Sequence, residues 1–268
     1  MVFDIAIVGG GIVGTAAAYK LQTAFPDLKI LLIEKENRLA DHQTGNNSGV
    51  IHSGLYYKPG SIKAKTCVSG RKQLVEFAKE HGVKHDVCGK VVVATQSSEL
   101  PYLEKIFANG LANNTEGIEK INSDQIKDIE PHCVGVAGIW VPCTGIIDFR
   151  GTTETLANIV TEKQGDSKIV LGEEVLSFEK MGENTTIRTT KNTYSAKNMI
   201  FCGGLQSDRL AKKDDVSLDM RIVGFRGDYY LLTDSGRHKV NNLIYPVPNP
   251  KFPFLGVHFT RMVDGEVE

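Results

Sequence analysis

Residues 3–14 read F-D-I-A-I-V-G-G-G-I-V-G, and the fold class follows from them. Phe3 to Val8 is a short apolar run with little polar relief, as in a parallel strand buried on both faces. Gly9, Gly11 and Gly14 then occupy the three glycine positions of G-x-G-x-x-G. In a strand–turn–helix unit the first permits the tight turn, the second lets a pyrophosphate approach the backbone, and the third lets helix and strand pack closely. An Ala-rich helix is expected from Thr15 to about Ala24, with Ala18 and Leu21 facing inward. Its N-terminal N–H groups and positive dipole end suit phosphate. Pro26 and Asp27 punctuate the next turn, Lys29 to Ile33 forms a second strand, and Glu34 ends it. An acid about 20 residues beyond the third glycine accepts hydrogen bonds from ribose hydroxyls and repels a 2′-phosphate. Strand, glycines, helix, strand and acid in register spell a dinucleotide-binding β-α-β unit. The motif by itself does not separate FAD from NAD.

The bulk numbers set outer bounds. The 268 residues carry 31 basic and 32 acidic side chains, a formal net charge of −1, and 41% are hydrophobic. That is globular composition, with no basic excess to argue for nucleic acid or an anionic membrane. No stretch approaches the ~20 apolar residues of a membrane span, and no charged leader precedes the first strand. Peripheral attachment to an inner membrane stays open. The five cysteines are odd in number and include no C-x-x-C pair. Reduced thiols in a cytoplasmic protein therefore fit better than a disulfide scaffold or a structural zinc site.

After Glu34 and Lys35 the chain runs E-N-R-L-A-D-H-Q-T-G-N-N-S-G-V-I-H-S-G-L-Y-Y. Small and polar residues (Thr44, Gly45, Asn47, Ser48, Gly49) let the backbone approach a flat ring and a pyrophosphate, though a plain surface loop has the same composition. The stretch Thr44 to Tyr57 resembles the FAD-contacting segment of the D-amino-acid-oxidase-like flavoproteins. Within them it is most similar to the L-2-hydroxyglutarate oxidase/dehydrogenase family, whose N-S-G-V-I-H-x-G-x-Y-Y run matches Asn47 to Tyr57. The segment Y-P-V-P-N-P-K-F-P-F-L-G-V-H-F-T-R, Tyr245 to Arg261, is similar to the same family. The resemblance implies an α/β fold: a Rossmann-like FAD-binding domain with an inserted substrate domain on a mixed or antiparallel sheet. It implies FAD held by Gly9, Gly11, Gly14, Glu34, Lys35, Thr44, Asn47, Ser48 and Gly49. Val175 would pair its backbone with adenine, and Gly203 and Gly204 would pass under the pyrophosphate. For Gly203 and Gly204 a simple strand-to-helix turn is the alternative. The implied reaction is FAD-dependent oxidation of a small 2-hydroxy diacid, L-2-hydroxyglutarate to 2-oxoglutarate, by hydride transfer to flavin, with oxygen or a membrane quinone as final acceptor. A related amine- or glycerol-3-phosphate-oxidising flavoprotein, or a truncated non-catalytic flavin-binding module, is the alternative. Members of that family continue beyond the point matching Val263 to Glu268, which reads as mid-hairpin, so a C-terminally truncated chain is expected.

The expected domain boundaries are 1–86 with 145–218 for FAD, and 87–144 with 219–268 for substrate. Helices are expected over Ser61 to Ala78 and Leu100 to Leu111, and over Asp124 to Ile129 capped by Ser123. Asp148 is expected to cap the helix through Leu156. Strands are expected at Cys88 to Ala94, Val134 to Val141, Ile169 to Val170, Glu174 to Glu179, Thr185 to Thr190, Thr193 to Ala196 and Asn198 to Cys202. Further strands fall at Tyr229 to Leu231, Leu243 to Val247 and Phe254 to Thr260, with a hairpin turn at Ser235 to Arg237.

Oxidising a hydroxy acid needs a base for the hydroxyl proton and a cation for the carboxylates. His52, in its Gly-rich loop, is a candidate to sit beside the flavin ring, stabilising reduced-flavin charge or binding substrate; a structural histidine is the alternative. His258 is the preferred group to face the substrate, on the resemblance. Arg226, before Gly227, reads equally as a carboxylate clamp or as an arginine holding its own turn. Lys58 and Tyr245 are lesser candidates. Strand alternation puts Arg261 on the face opposite His258, as a solvated charge. The remaining histidines show no ligand spacing.

Overall fold

A computed structural model describes residues 1–162, 166–249, 251 and 256–268. The chain packs as two compact units, 1–47 with 149–227 and 48–148 with 228–268. The crossings thus fall at other places than the expected 86/87, 144/145 and 218/219. Hydrogen bonding explains the first two: Val50–Ile51 and His85–Asp86 both pair with Gly145–Ile147, which ties residues 48–86 to the second unit.

The first unit is built on a sheet in the order Val175–Met181, Asn184–Thr189, Thr193–Phe201, Val2–Val8, Ile30–Ile33, Lys168–Val170. Val2–Val8 runs parallel to both its neighbours, and Lys168–Val170 parallel to Ile30–Ile33. The opening strand is apolar throughout because both its faces are covered. Ile7, with Ile30 and Leu32, packs on Ala18 and on Val160 of the helix Phe149–Glu162. Ala6 and Val8, with Leu31 and Ile33, pack on Val175, Ile187 and Leu210. Each Val, Leu or Ile among them contributes about 1.5–3 kcal/mol by its burial. The expected strands at Thr193 to Ala196 and Asn198 to Cys202 are one strand, Thr193–Phe201, whose far half pairs with Val2–Val8.

The second unit holds a mixed sheet in the order Phe259–Thr260, Leu243–Pro246, Lys90–Ala94, Ala137–Val141, Glu119–Asn122. Only the Leu243–Pro246 to Lys90–Ala94 pairing is parallel. One face packs with Leu55, Leu103, Ile106 and Ile118, the other with Ile121 and Ile126. The helix Ile62–His81 is capped by Ser61, whose hydroxyl accepts from the Ala64 amide at 3.2 Å, and stops at Gly82 in left-handed backbone.

Four expectations give way here. Asn122, rather than Ser123, caps Ser123–Ile129: its Oδ1 accepts from the Asp124 and Gln125 amides, and Gln125 returns the bond to the Asn122 amide. Tyr229 to Leu231 form no strand among the described residues, and Tyr229 and Tyr230 are 58% and 86% exposed, with no neighbouring strand to pair with. Ser235 to Arg237 belong to a short helix, Asp234–Arg237, rather than a hairpin turn. Of the expected strand Phe254 to Thr260, Phe254 and Leu255 lie outside the described residues, and Phe259–Thr260 is a strand.

Candidate functional site

In the first unit the sheet ends in a glycine corner. Gly9 leaves the strand at φ +115°, and a Cβ there would stand 2.3 Å from the Cys202 carbonyl oxygen. The two parallel strands therefore end side by side, with the Cys202 amide donating to the Val8 carbonyl at 2.8 Å. Gly203 and Gly204 follow Cys202 directly, so the two glycine elements lie at one sheet end. Gly14 presses the helix against this turn: a Cβ there would lie 2.0 Å from the Gly9 carbonyl oxygen. At Gly11 a Cβ would meet only Thr44 Oγ1, at 3.1 Å, so the cradle before the helix Ile12–Ala24 is open to a ligand.

Glu34 is buried at the same corner. One carboxylate oxygen accepts from the Gly10 amide at 2.6 Å and the other from the Glu36 amide at 2.8 Å. A carboxylate has about four acceptor positions, so two remain for hydroxyl donors such as a ribose. Thr44 reaches back to the helix and accepts from the Ile12 amide at 3.0 Å. The Ala40 amide donates to the Gly10 carbonyl at 3.1 Å, with Ala40 itself in left-handed backbone at φ 55°. The loop after Glu34 is thus tied to the glycine turn twice, a feature the residue types did not announce. Lys35 pairs with Glu36 at 3.2 Å. Asn47 Nδ2 donates to the Thr44 and Gln43 carbonyls, bracing its own loop. Val175 is buried and starts its strand opposite Thr189. A glycine-lined sheet end with a braced carboxylate fits a dinucleotide such as FAD.

The second unit carries the candidate bases. His52 follows the strand Val50–Ile51, and its carbonyl accepts from the Cys67 thiol at 3.3 Å. Its ring reaches solvent, yet desolvation by surrounding protein, then the charges of Lys90 and Lys63, lower its pKa to about 4. Neutral imidazole is the resting form at ordinary pH. The His258 ring is hydrogen-bonded through Nδ1 to the Gly256 carbonyl at 2.9 Å and lies 4.5 Å from the Tyr245 ring. Ser48 and Gly49 open this unit, Gly49 at φ +63°. Arg226 lies on an exposed irregular segment of the first unit. Arg261 is not a solvated charge: it is about 29% exposed and pairs with Asp86. Sequence reasoning passed over Lys90, which is 1% exposed with its ammonium over the rings of Tyr56 and Tyr245. The available signal was a lysine opening the apolar run K-V-V-V-A. Among the described residues no group of three or more His, Cys, Asp or Glu side chains is placed to hold a metal ion, and no helix is long and apolar enough to cross a membrane.

The glycine corner and its acid define a dinucleotide-binding α/β protein. Residues 4–267 match the model of the DAO family, FAD dependent oxidoreductase, and the chain belongs to that family. It is 47% identical over 269 residues to an L-2-hydroxyglutarate dehydrogenase of Indibacter alkaliphilus, covering 100% of this chain and 67% of the relative. It is 44% identical to a mitochondrial L-2-hydroxyglutarate dehydrogenase of Caenorhabditis briggsae, covering 99% of this chain and 62% of the relative. The chain thus spans about two thirds of the length of these relatives. Among solved structures, the dithionite-reduced L-alpha-glycerophosphate oxidase of Mycoplasma pneumoniae with FAD bound superposes with a TM-score of 0.85 at 26% identity, over 100% of this chain and 70% of that one.

Proposed function

We propose that this protein oxidises L-2-hydroxyglutarate to 2-oxoglutarate with FAD. The observation that carries the reading is the 47% and 44% identity, over essentially all of this chain, to L-2-hydroxyglutarate dehydrogenases of a bacterium and an animal. Bound FAD supplies the acceptor for the hydride equivalent that leaves the substrate's hydroxyl-bearing carbon. On this reading Gly9, Gly11 and Gly14 let the diphosphate onto the corner, and the helix N-terminus meets its charge. Glu34 takes the adenosine ribose. Lys35, Val175, Gly203 and Gly204 line the nucleotide, and Thr44, Asn47, Ser48 and Gly49 the loop toward the ring.

His52 accepts the proton of the substrate hydroxyl on a ring nitrogen as the C=O bond forms. Its depressed pKa keeps that nitrogen unprotonated above about pH 4. His258 is assigned to the substrate side and Arg226 to a carboxylate, which a guanidinium binds through two parallel hydrogen bonds. Electrons pass on to oxygen or a membrane quinone, in a cytoplasmic protein that meets the inner membrane peripherally in the quinone case.

The test is anaerobic mixing of FAD-loaded protein with each candidate substrate. L-2-hydroxyglutarate bleaches the flavin on this reading. Bleaching by glycerol 3-phosphate and not by L-2-hydroxyglutarate would overturn it and favour the chemistry in the name of the superposing oxidase.

A further inference from the structure

Lys90 opens the strand Lys90–Ala94 inside the five-stranded sheet, and it is one of the largest fully buried side chains among the described residues. Among the described residues no carboxylate is paired with it. In place of a counter-ion it has two aromatic faces, Tyr56 with its ring centre at 4.6 Å and Tyr245 at 4.8 Å. The Tyr245 ring in turn lies 4.5 Å from the ring of His258. Burying an ammonium without a counter-ion is costly, and a methionine fills similar space without that cost. The charge itself therefore needs a use.

The groups facing it supply one. Its titratable neighbours are the thiols of Cys143 and Cys67 and the phenols of Tyr56 and Tyr245. The charges that act on His52 are Lys90 and Lys63, both positive. We propose that Lys90 is a positioning residue of the catalytic site: a buried ammonium that clamps Tyr56 and Tyr245, holds His258 through Tyr245, and presents a fixed positive charge to His52. The inference rests on His52 being the proton acceptor named above. A positive neighbour disfavours the imidazolium, so His52 enters each turnover able to take a proton and is pressed to release it afterwards.

The experiment is an NMR titration of the full chain labelled in histidine and tyrosine rings, without substrate, so that a failure of the proposed reaction leaves its outcome intact. In Lys90→Met the His52 midpoint rises from about 4 toward the ordinary 6.5. In Lys90→Arg, which keeps the charge, it stays low. In the unsubstituted chain the ring signals of His52, Tyr56 and Tyr245 carry an inflection near pH 8, where the buried ammonium loses its proton. This last readout needs no variant to fold. A folded Lys90→Met with an unmoved His52 midpoint overturns the proposal, as does an unsubstituted chain in which the ring signals of His52, Tyr56 and Tyr245 share no inflection anywhere between about pH 8 and 10.5, where the ammonium gives up its proton.

Discussion

Replacing Gly14 with alanine puts a methyl group 2.0 Å from the Gly9 carbonyl oxygen and 3.2 Å from its carbonyl carbon. Comfortable carbon contacts lie at about 3.5–4.0 Å, so the helix Ile12–Ala24 has to withdraw by roughly 1.5 Å. The obstacle is backbone, in a turn fixed by Gly9 at φ +115°, and no side chain can rotate to relieve it. Overpacking of this kind costs about 1–3 kcal/mol, and the rigid partner puts Gly14→Ala at or above the upper end. The better helix propensity of alanine returns up to about 1 kcal/mol, leaving a net loss of about 2 kcal/mol. For a chain of this size that is roughly 4–8 °C in Tm. The same withdrawal pulls the helix's N–H groups away from a diphosphate, so flavin uptake falls as well. Gly70, inside the helix Ile62–His81, has nothing within 4 Å of an added Cβ, and Gly70→Ala should stabilise by about 0.5–1 kcal/mol. Thermal and urea unfolding of flavin-free protein, with FAD uptake measured in parallel, separates the two. A Gly14→Ala protein as stable as the parent and equally able to take up FAD would refute the packing argument.

Three further outcomes are expected. Asn122→Ala costs about 1 kcal/mol in urea unfolding while Ser123→Ala stays within about 0.5 kcal/mol, because the cap belongs to Asn122; the reverse order would restore the sequence expectation. Burial lowers the Lys90 ammonium from 10.5 to about 8, so between those values the unfolded chain binds more protons. Stability therefore rises with pH across that window by up to about 3 kcal/mol from this group, and Lys90→Met lacks the rise in denaturation midpoints taken from pH 8 to 10.5. His52→Asn slows flavin reduction by substrate about 10²–10⁴-fold in stopped flow and leaves FAD retention unchanged; reduction at the parental rate would remove His52 from the mechanism.

What the sequence disclosed was the part governed by local rules. G-x-G-x-x-G between an apolar strand and an Ala-rich helix forces a particular backbone, and Gly9 and Gly14 stand where that backbone leaves no room for a Cβ. The place of Glu34 beside the glycine turn was legible because it ends the strand that pairs with the first one. The unit boundary near Asn47 was not, because it depends on Val50–Ile51 and His85–Asp86 both pairing with Gly145–Ile147, a strand far along the chain from either, and such pairing has no local signature. Tyr229 to Leu231 carry strand-forming side chains, but propensity needs a partner strand to act on. Asn122 outcompeted Ser123 by one residue because Gln125 completes a reciprocal bond only with the earlier position. Lys90 escaped notice because its meaning lies in two tyrosines, Tyr56 and Tyr245, brought to it from distant parts of the chain.

The most direct measurement of the central claim is titration of flavin-free protein with FAD, followed by the loss of flavin fluorescence, alone and with ADP present. Saturable uptake of one FAD per chain is expected, weakened by ADP because its diphosphate and ribose compete for Gly11 and Glu34. Uptake that never saturates, or that ADP leaves untouched, would contradict it.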